Sequence, residues 1–160
     1  MKIIKVKTDS KNYEIKVGND LLGSIPLKKL VSQKDILLVI DNRVPESLIN
    51  KLKNNLKKSS SKKINSIKIN ATENNKNMSY LAKVYDFLIR NNYSRDCVIF
   101  GIGGGITCDM TGFIASTFLR GVDFILVPST LLSQVDASIG GKTGVNHKGF
   151  KNMIGTFNQP

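Results

Sequence analysis

The hydrophobic positions of the chain first follow the short patterns that are typical of β-strands. Residues 3–6 and Tyr13–Val17 alternate polar and apolar side chains, which predicts two half-buried strands joined as an N-terminal β-hairpin. Residues 36–40 form a continuous apolar run, which is typical of a strand covered on both faces in a parallel sheet. A further strand is predicted at residues 64–69, and further buried strands are predicted at residues 97–100 and 124–127.

Between these runs, apolar residues recur three or four positions apart, which predicts helices. Pro45 opens the first helix, whose apolar stripe comprises Leu48, Ile49, Leu52 and Leu56. Others are predicted over residues 79–91, after the glycines at 101–105, and over residues 130–137. The alternation of strands and helices predicts a single α/β domain over residues 1–160: a Rossmann-like, mostly parallel sheet with helices on both faces.

The formal net charge of +12 raises the question of a nucleic-acid partner. Residues 1–95 carry 20 of the 24 Lys and Arg residues and 8 of the 12 acidic residues, whereas residues 96–160 carry four of each. The excess lies in Lys-, Asn- and Ile-rich stretches without the interleaved aromatic residues on which bases stack. We therefore expect a solvated basic face and no nucleic-acid partner.

The sequence also bears on location and on thiol and metal chemistry. No apolar run approaches the ~20 residues of a transmembrane helix, and the N-terminal alternation is unlike a signal peptide. We expect a cytoplasmic protein without a membrane partner. Cys97 and Cys108 match neither a redox pair nor a disulfide framework and are expected to be reduced and structural. His147 is the only histidine, so no metal site is expected within this chain.

A glycine-rich stretch follows the predicted strand at 97–100 and precedes a helical pattern. Glycines tolerate positive φ and let a phosphate approach the main chain, and the N-terminus of a helix attracts anions. The spacing departs from the ordinary dinucleotide fingerprint, whose third glycine would fall at Ile106. Because ligands bind beyond the carboxyl ends of parallel strands, we expect Asp41, the glycines at 101–105 and residues 128–130 to share one edge.

Gly140-Gly141-Lys142-Thr143 has a superficial likeness to an ATP-binding loop. That motif needs a glycine five residues before Gly141, where the chain has Asp136, and it follows a strand rather than a predicted helix. We reject this interpretation.

The second half of the chain resembles the 3-dehydroquinate synthase family. The resemblance runs through residues 103–113, 119–124, 127–136, 140–147 and 151–155, in the order of the family. The first hundred residues resemble the family more loosely, through the order of elements and through Glu73 and Lys76.

The resemblance implies NAD as cofactor and a set of site residues. The implied cofactor contacts are Asp41, Glu73, Lys76, Gly104, Gly105, Ile106, Asp109, Ser129, Thr130, Lys142 and Lys151. The implied catalytic residues are Asp136, Lys142 and Asn152, and the implied contacts of a sugar-acid phosphate substrate are Arg120, Lys142, Lys151 and Asn152. Arg120 matches an arginine that family members offer to the neighbouring subunit, which implies a homodimer of the full-length enzyme.

The implied activity is the NAD- and metal-dependent conversion of 3-deoxy-D-arabino-heptulosonate 7-phosphate to 3-dehydroquinate and phosphate, in the shikimate pathway. Family members continue into a helical C-terminal domain whose glutamate and two histidines bind zinc or cobalt. That domain is absent from residues 1–160. We therefore expect the metal ligands beyond residue 160 and no turnover by these residues alone.

Other functions stay open at this point. Another sugar-phosphate cyclase of the same architecture, a metal-dependent polyol dehydrogenase and a non-catalytic NAD-binding remnant each fit part of the pattern. Lys151 and Asn152 and the run around Asp136 favour 3-dehydroquinate synthase, whereas a DNA-binding role has the least support.

Overall fold

A four-stranded parallel sheet forms the centre of the chain, whose residues 1–60 and 62–160 are described by a computed structural model. The strands are β3 (Ile36–Asp41), β4 (Ile64–Ile69), β5 (Val98–Gly103) and β6 (Asp123–Pro128). They pair in the order β4-β3-β5-β6, and every pair is parallel. The four predicted strands are therefore confirmed, although β4 and β6 are only partly buried.

Helices cover both faces of this sheet. On one face lie α3 (Glu46–Ser59) and the short α1 (Leu21–Ser24) and α2 (Lys28–Val31); on the other lie α4 (Met78–Arg90) and α5 (Gly105–Thr117). Alternate residues of β3 face the two layers: Leu38 packs in the α3 cluster, and Leu37 in the cluster of α4 and α5. Because all of β3 is buried, its unbroken apolar run follows directly from its place between the layers.

Two antiparallel hairpins and one short helix complete the fold. The predicted N-terminal hairpin is confirmed as β1 (Lys2–Val6) and β2 (Tyr13–Val17). After α6 (Leu131–Val135), β7 (Lys142–His147) pairs with β8 (Phe150–Phe157), a hairpin that the apolar pattern does not predict. Its two turn residues, Lys148 and Gly149, both have positive φ, as in a type I′ turn. Most of β8 is exposed, so it lacks the apolar run of a buried strand.

Three details of the helices differ from the prediction. Helix α4 begins one residue earlier, because the Asn77 side chain caps it by accepting a hydrogen bond from the Tyr80 amide at 2.9 Å. Helix α6 is shorter than residues 130–137, because Asp136 leaves the helical conformation. Leu48 is exposed, whereas Ile49, Leu52 and Leu56 form the buried stripe of α3.

The chain changes direction between β3 and β5. β3 leads through α3 to β4 on one side, whereas β5 leads through α5 to β6 on the other. A crevice opens at such a point beyond the carboxyl ends of the two strands. Asp41 ends β3 there, Gly103 ends β5 beside it, and the Ser129 amide donates to the Gly103 carbonyl at 2.8 Å. The shared edge predicted from the sequence is therefore present.

Helix α5 approaches strand β5 unusually closely, because two glycines of the strand face two threonines of the helix. A Cβ atom on Gly101 would lie 2.6 Å from Oγ1 of Thr111, and one on Gly103 would overlap Thr107 in the same way. Thr107 and Thr111 are one turn apart and fully buried. The glycines therefore set the distance between helix and strand.

The cysteines lie in this core. Cys97 and Cys108 are both free and buried, as predicted, and burial raises their pKa values to about 11 and about 12. Neither thiol is a reactive thiolate near neutral pH. Among the described residues, no helix has both the length and the apolar character that a bilayer crossing requires.

We expect Gly101→Ala to lower the free energy of unfolding by about 1–3 kcal/mol, because the added methyl group overpacks the contact with Thr111. Gly23→Ala is the matched control, since a Cβ there meets nothing within 4 Å and alanine is the better helix former. Urea unfolding of both variants measures the difference. Equal stabilities would contradict the close-approach explanation.

Candidate functional site

The N-terminus of α5 forms the centre of the candidate site. Gly104 caps the helix, and within the described residues the amides of Gly105, Ile106 and Thr107 have no hydrogen-bond acceptor. Free amides and the positive end of the helix dipole attract an anion. None of the glycines at 101–105 has a positive φ, so they provide space rather than an unusual backbone conformation. A Cβ on Gly104 would meet only Thr130, at 3.5 Å.

A buried lysine lies beside this helix. The ammonium of Lys76, whose side chain is 5% exposed, contacts Oδ2 of Asp109 at 2.6 Å and Oδ1 of Asn152 at 2.5 Å. An ammonium has three N–H donors, so these two contacts leave one for a ligand. Lys76, Asp109 and Asn152 come from a loop, a helix and a hairpin, and Lys76 links all three.

Asn146 of β7 joins the same group. Its backbone amide donates to the Lys76 carbonyl at 2.7 Å, and its Nδ2 donates to Oε1 of Glu73 at 2.8 Å. Its Oδ1 accepts from the Asn152 amide at 2.9 Å. We call Glu73, Lys76, Asp109, Asn146 and Asn152 the polar cluster. It unites four of the residues predicted from the sequence with one that was missed.

An irregularity in the β7–β8 hairpin gives Asn152 its place in the polar cluster. The register shifts between Val145 and His147, so residues 151–153 of β8 lie opposite Asn146 alone. Asn152 has φ +55°, a conformation that asparagine tolerates better than most residues. Such a bulge re-aims side chains, and here it aims Asn152 at Lys76.

Burial raises the pKa of Asp109, and the negative charges of Asp136 and Glu73 act in the same direction, while Lys76 opposes them. Asp136 ends α6 and is followed directly by Ala137. The Cβ of Ala137 lies 3.5 Å from the position that a Cβ on Gly105 would occupy, so the segment after α6 approaches the N-terminus of α5. The helix N-terminus, the polar cluster and the segment after α6 therefore form one site.

Asp41 lies at the expected edge but is engaged by a neighbouring arginine. Its Oδ1 accepts from the Nε and the backbone amide of Arg43, and its Oδ2 accepts from Nη2 at 2.7 Å. The same Nη2 atom donates to the Ala71 carbonyl at 2.8 Å. Any ligand contact of this buried carboxylate would share or replace that of Arg43.

Ser129 and Thr130 follow β6 at the same edge. Thr130 caps α6: its Oγ1 accepts from the Ser133 amide at 3.2 Å, and the Ser133 hydroxyl contacts the Thr130 amide at 3.2 Å. This reciprocal capping box fixes the start of α6. Asp136 is the C-cap of α6 and is exposed to solvent.

The predicted cations lie in three different places. Lys151 lines a cleft of about 460 Å³ beside the polar cluster. Lys142 begins β7 and pairs with Phe157, roughly 14 Å along the strand from Asn146. Arg120 follows the C-terminal end of α5, about 20 Å from the helix N-terminus. The cleft is lined by Glu73, Asn74, Asn77, Asn146, His147, Lys148, Gly149 and Lys151. Because of that distance of about 20 Å along α5, Arg120 does not reach the site of its own chain.

The described residues supply no ligand set for a metal ion. Across residues 1–60 and 62–160, no three His, Cys, Asp or Glu side chains come together as they would around a metal. His147 lines the cleft but has no such neighbours.

Two residues of the site were missed in the sequence, although each left a signal. Arg43 follows the end of β3 by two residues, a spacing at which a turn brings a cation back to Asp41. Asn146 could have been found from Lys148-Gly149, since a two-residue turn there places Asn146 across from residues 151–153.

The fold and site together define a doubly wound α/β domain with an anion-attracting helix N-terminus at its switch point. The family model described as 3-dehydroquinate synthase N-terminal matches residues 66–160. The chain is 43% identical to the 3-dehydroquinate synthase of Pelagibacter ubique (strain HTCC1062), over 98% of this chain and 43% of that protein. The chain therefore belongs to the 3-dehydroquinate synthase family and corresponds to its N-terminal part.

Solved structures share the fold of the chain. The chain is similar to ValA, the 2-epi-5-epi-valiolone synthase of Streptomyces hygroscopicus subsp. jinggangensis 5008 solved with NAD+ and Zn2+, with a TM-score of 0.82 and 29% identity. That match covers 99% of this chain and 43% of ValA. A 2-deoxy-scyllo-inosose synthase, at 22% identity, shares the fold with a TM-score of 0.90, over 99% of this chain and 45% of its own. The chain spans less than half the length of the relatives it matches.

We expect the stability of the chain to depend on the protonation of Asp109. Because its pKa is raised in the folded chain, the folded state binds this proton more tightly than the unfolded state. The contribution of Asp109 to stability is therefore fully present below its unfolded pKa and is lost as the pH rises through its folded pKa.

Urea unfolding of the wild type and Asp109→Asn between about pH 4 and pH 7 measures this dependence. The wild type should lose stability relative to the variant as the pH rises. Carboxyl carbon shifts of Asp109 give an independent titration, and a slope of the opposite sign would contradict the assignment.

Proposed function

We propose that the chain is the NAD-binding domain, residues 1–160, of a cytoplasmic 3-dehydroquinate synthase. This enzyme converts 3-deoxy-D-arabino-heptulosonate 7-phosphate to 3-dehydroquinate and phosphate, the second step of the shikimate pathway. Membership of the family and 43% identity to a relative of that name support the proposal. The observation that carries it is the free-amide N-terminus of α5 beside the polar cluster, at the switch point of the sheet.

The N-terminus of α5 fits the diphosphate of NAD. The amides of Gly105 and Ile106 are available as donors, and Gly104 leaves the approach to them open. When bound, NAD supplies the hydride acceptor for oxidation of a secondary alcohol and the donor that later reduces the ketone. The partial positive charge at the N-terminus of α5 would stabilise the diphosphate there.

Further cofactor contacts are proposed around that helix. Asp41 and Glu73 are acceptors suited to ribose hydroxyls, and Ser129 and Thr130 offer hydroxyl groups at the same edge. Lys76 and Asp109, both members of the polar cluster, are further proposed contacts, and Lys142 and Lys151 add positive charge. Asp41 takes part by sharing or exchanging its contact with Arg43.

The substrate is a sugar acid phosphate, so its recognition requires cations and directed donors. Lys142 and Lys151 are exposed and have no ion-pair partner within residues 1–60 and 62–160, which makes them available to the carboxylate and the phosphate. Asn152 retains its Nδ2 donor, since the contact with Lys76 uses Oδ1. Asp136, an exposed carboxylate at the C-terminal end of α6, is the proposed acceptor of a hydrogen bond from a substrate hydroxyl, which it would orient.

The metal is proposed to be held by residues outside this chain. The described residues offer no ligand cluster, so no catalytic step is assigned to a metal here. ValA was solved with Zn2+ and is more than twice as long as the matched segment. Exposed apolar residues on α6, namely Leu131, Leu132 and Val135, support a second domain that covers this side and carries zinc or cobalt.

Arg120 supports a homodimer of the full-length enzyme. It lies at the opposite end of α5 from the free amides, so it cannot serve the site of its own chain. Its exposure makes it available to a neighbouring subunit, where it would bind the substrate anion.

A second function within the same class is another sugar-phosphate cyclase, which the similarity to ValA supports. The identity is 29% for ValA and 40–44% for the relatives named 3-dehydroquinate synthase. That difference favours the heptulosonate phosphate as substrate.

NAD should raise the melting temperature of the chain by roughly 5–10 °C at one hundred times its dissociation constant. Gly104→Phe should abolish this rise, because the ring would fill the approach to the α5 amides. Gly23→Phe is the matched control, since it makes the same change where the surface is open. If Gly104→Phe responds to NAD as the wild type does, the assignment of the cofactor site is wrong.

The purified 160-residue chain, supplied with NAD and zinc, should release no phosphate from the heptulosonate phosphate above the blank rate. The reason is that no metal ligand set is present among the described residues. The 3-dehydroquinate synthase of P. ubique, assayed in parallel, is the positive control. Steady phosphate release by the chain alone would overturn this expectation.

A further inference from the structure

A single side chain, that of Asn146, connects the two sides of the polar cluster. Its Nδ2 donates to Oε1 of Glu73 at 2.8 Å and contacts the Glu73 carbonyl at 3.3 Å. Its Oδ1 accepts from the Asn152 amide at 2.9 Å. The proposed cofactor side and the proposed substrate side thus share one carboxamide group.

The backbone around Asn146 restricts how this group can move. Its amide donates to the Lys76 carbonyl at 2.7 Å, and Asn77 forms a parallel bridge to it. Asn152 lies in the bulge, away from the regular ladder, so the Asn146 side chain takes the place of a strand partner for its amide. Asn152 is also tied to Lys76 through its side chain.

We propose that Asn146 is a positioning residue. It couples the binding of NAD at residues 73–76 to the orientation of Asn152. This inference rests on the proposed function, because it assigns Glu73 and Lys76 to NAD and Asn152 to the substrate. The oxygen and nitrogen of a carboxamide move as one rigid plane. When Glu73 shifts toward a ribose, Asn146 turns with it and the acceptor that holds the Asn152 amide moves as well.

The chemistry of the carboxamide distinguishes this role from simple packing. Asn146→Asp keeps an oxygen for the Asn152 amide but replaces the donor to Glu73 with a second negative charge. Asn146→Ala removes both the donor to Glu73 and the acceptor of the Asn152 amide. Both variants should therefore lose the hydrogen bond to Glu73, but only Asn146→Ala should lose the hydrogen bond to the Asn152 amide. Asn54→Ala, on an exposed position of α3, is the matched control.

Amide hydrogen exchange followed by NMR tests the contact itself. The Asn152 amide should exchange roughly tenfold faster in Asn146→Ala than in the wild type, and close to the wild-type rate in Asn146→Asp and Asn54→Ala. Unchanged exchange in Asn146→Ala would overturn the inference. A melting temperature for each variant separates this local effect from general loss of stability.

NAD titration of the same samples tests the coupling. In the wild type and Asn54→Ala, NAD should shift the Asn152 amide resonance; in both Asn146 variants that shift should fall at least severalfold at saturating NAD. An undiminished shift in both Asn146 variants would overturn the coupling. Absence of any NAD binding by the wild type would count against the proposed function, and the exchange measurement would still decide whether Asn146 positions Asn152.

Discussion

The contact between α5 and β5 determines the geometry of the whole site. Gly101 and Gly103 let Thr111 and Thr107 lie directly on the strand, so the N-terminus of the helix begins immediately beyond the strand end. Within the described residues the two threonine hydroxyls have no hydrogen-bond partner, a cost of about 1–3 kcal/mol for each buried group. The close approach of helix and strand therefore sets where the free amides of α5 lie.

The same helix also organises the polar cluster. Asp109 is one turn from the free amides and holds Lys76, while Gly112 on the next turn receives Thr143 of β7. The hairpin that carries Asn146 and Asn152 is therefore positioned by α5 as well. A buried ammonium with defined acceptors needs little reorganisation when an anionic ligand arrives, which is the property expected of a preorganised site.

Much of the fold could be predicted from the sequence, because buried parallel strands leave unbroken apolar runs such as that of β3. The shared edge of Asp41, the glycines and Ser129 followed from the topology of such sheets. The β7–β8 hairpin could not be predicted in this way, since its outer strand is exposed and its bulge depends on positive φ at Asn152. The pairing of Asp41 with Arg43 is local and left a signal in the sequence. The contacts of Asn146 with Glu73 and Asn152, and the distance between Lys142 and the polar cluster, depend on how distant segments fold together. The individual roles of the site residues are still predictions.

Helix α5 connects two proposed sites, the free amides in its first turn and Arg120 just beyond its C-terminus. An α-helix turns by about 100° and advances about 1.5 Å with every residue. A single inserted or deleted residue in α5 would therefore swing Arg120 to another side of the molecule, while most substitutions would leave its direction unchanged. The length of this helix is thus geometrically restricted, in addition to the identity of the residues that pack against β5 and β7.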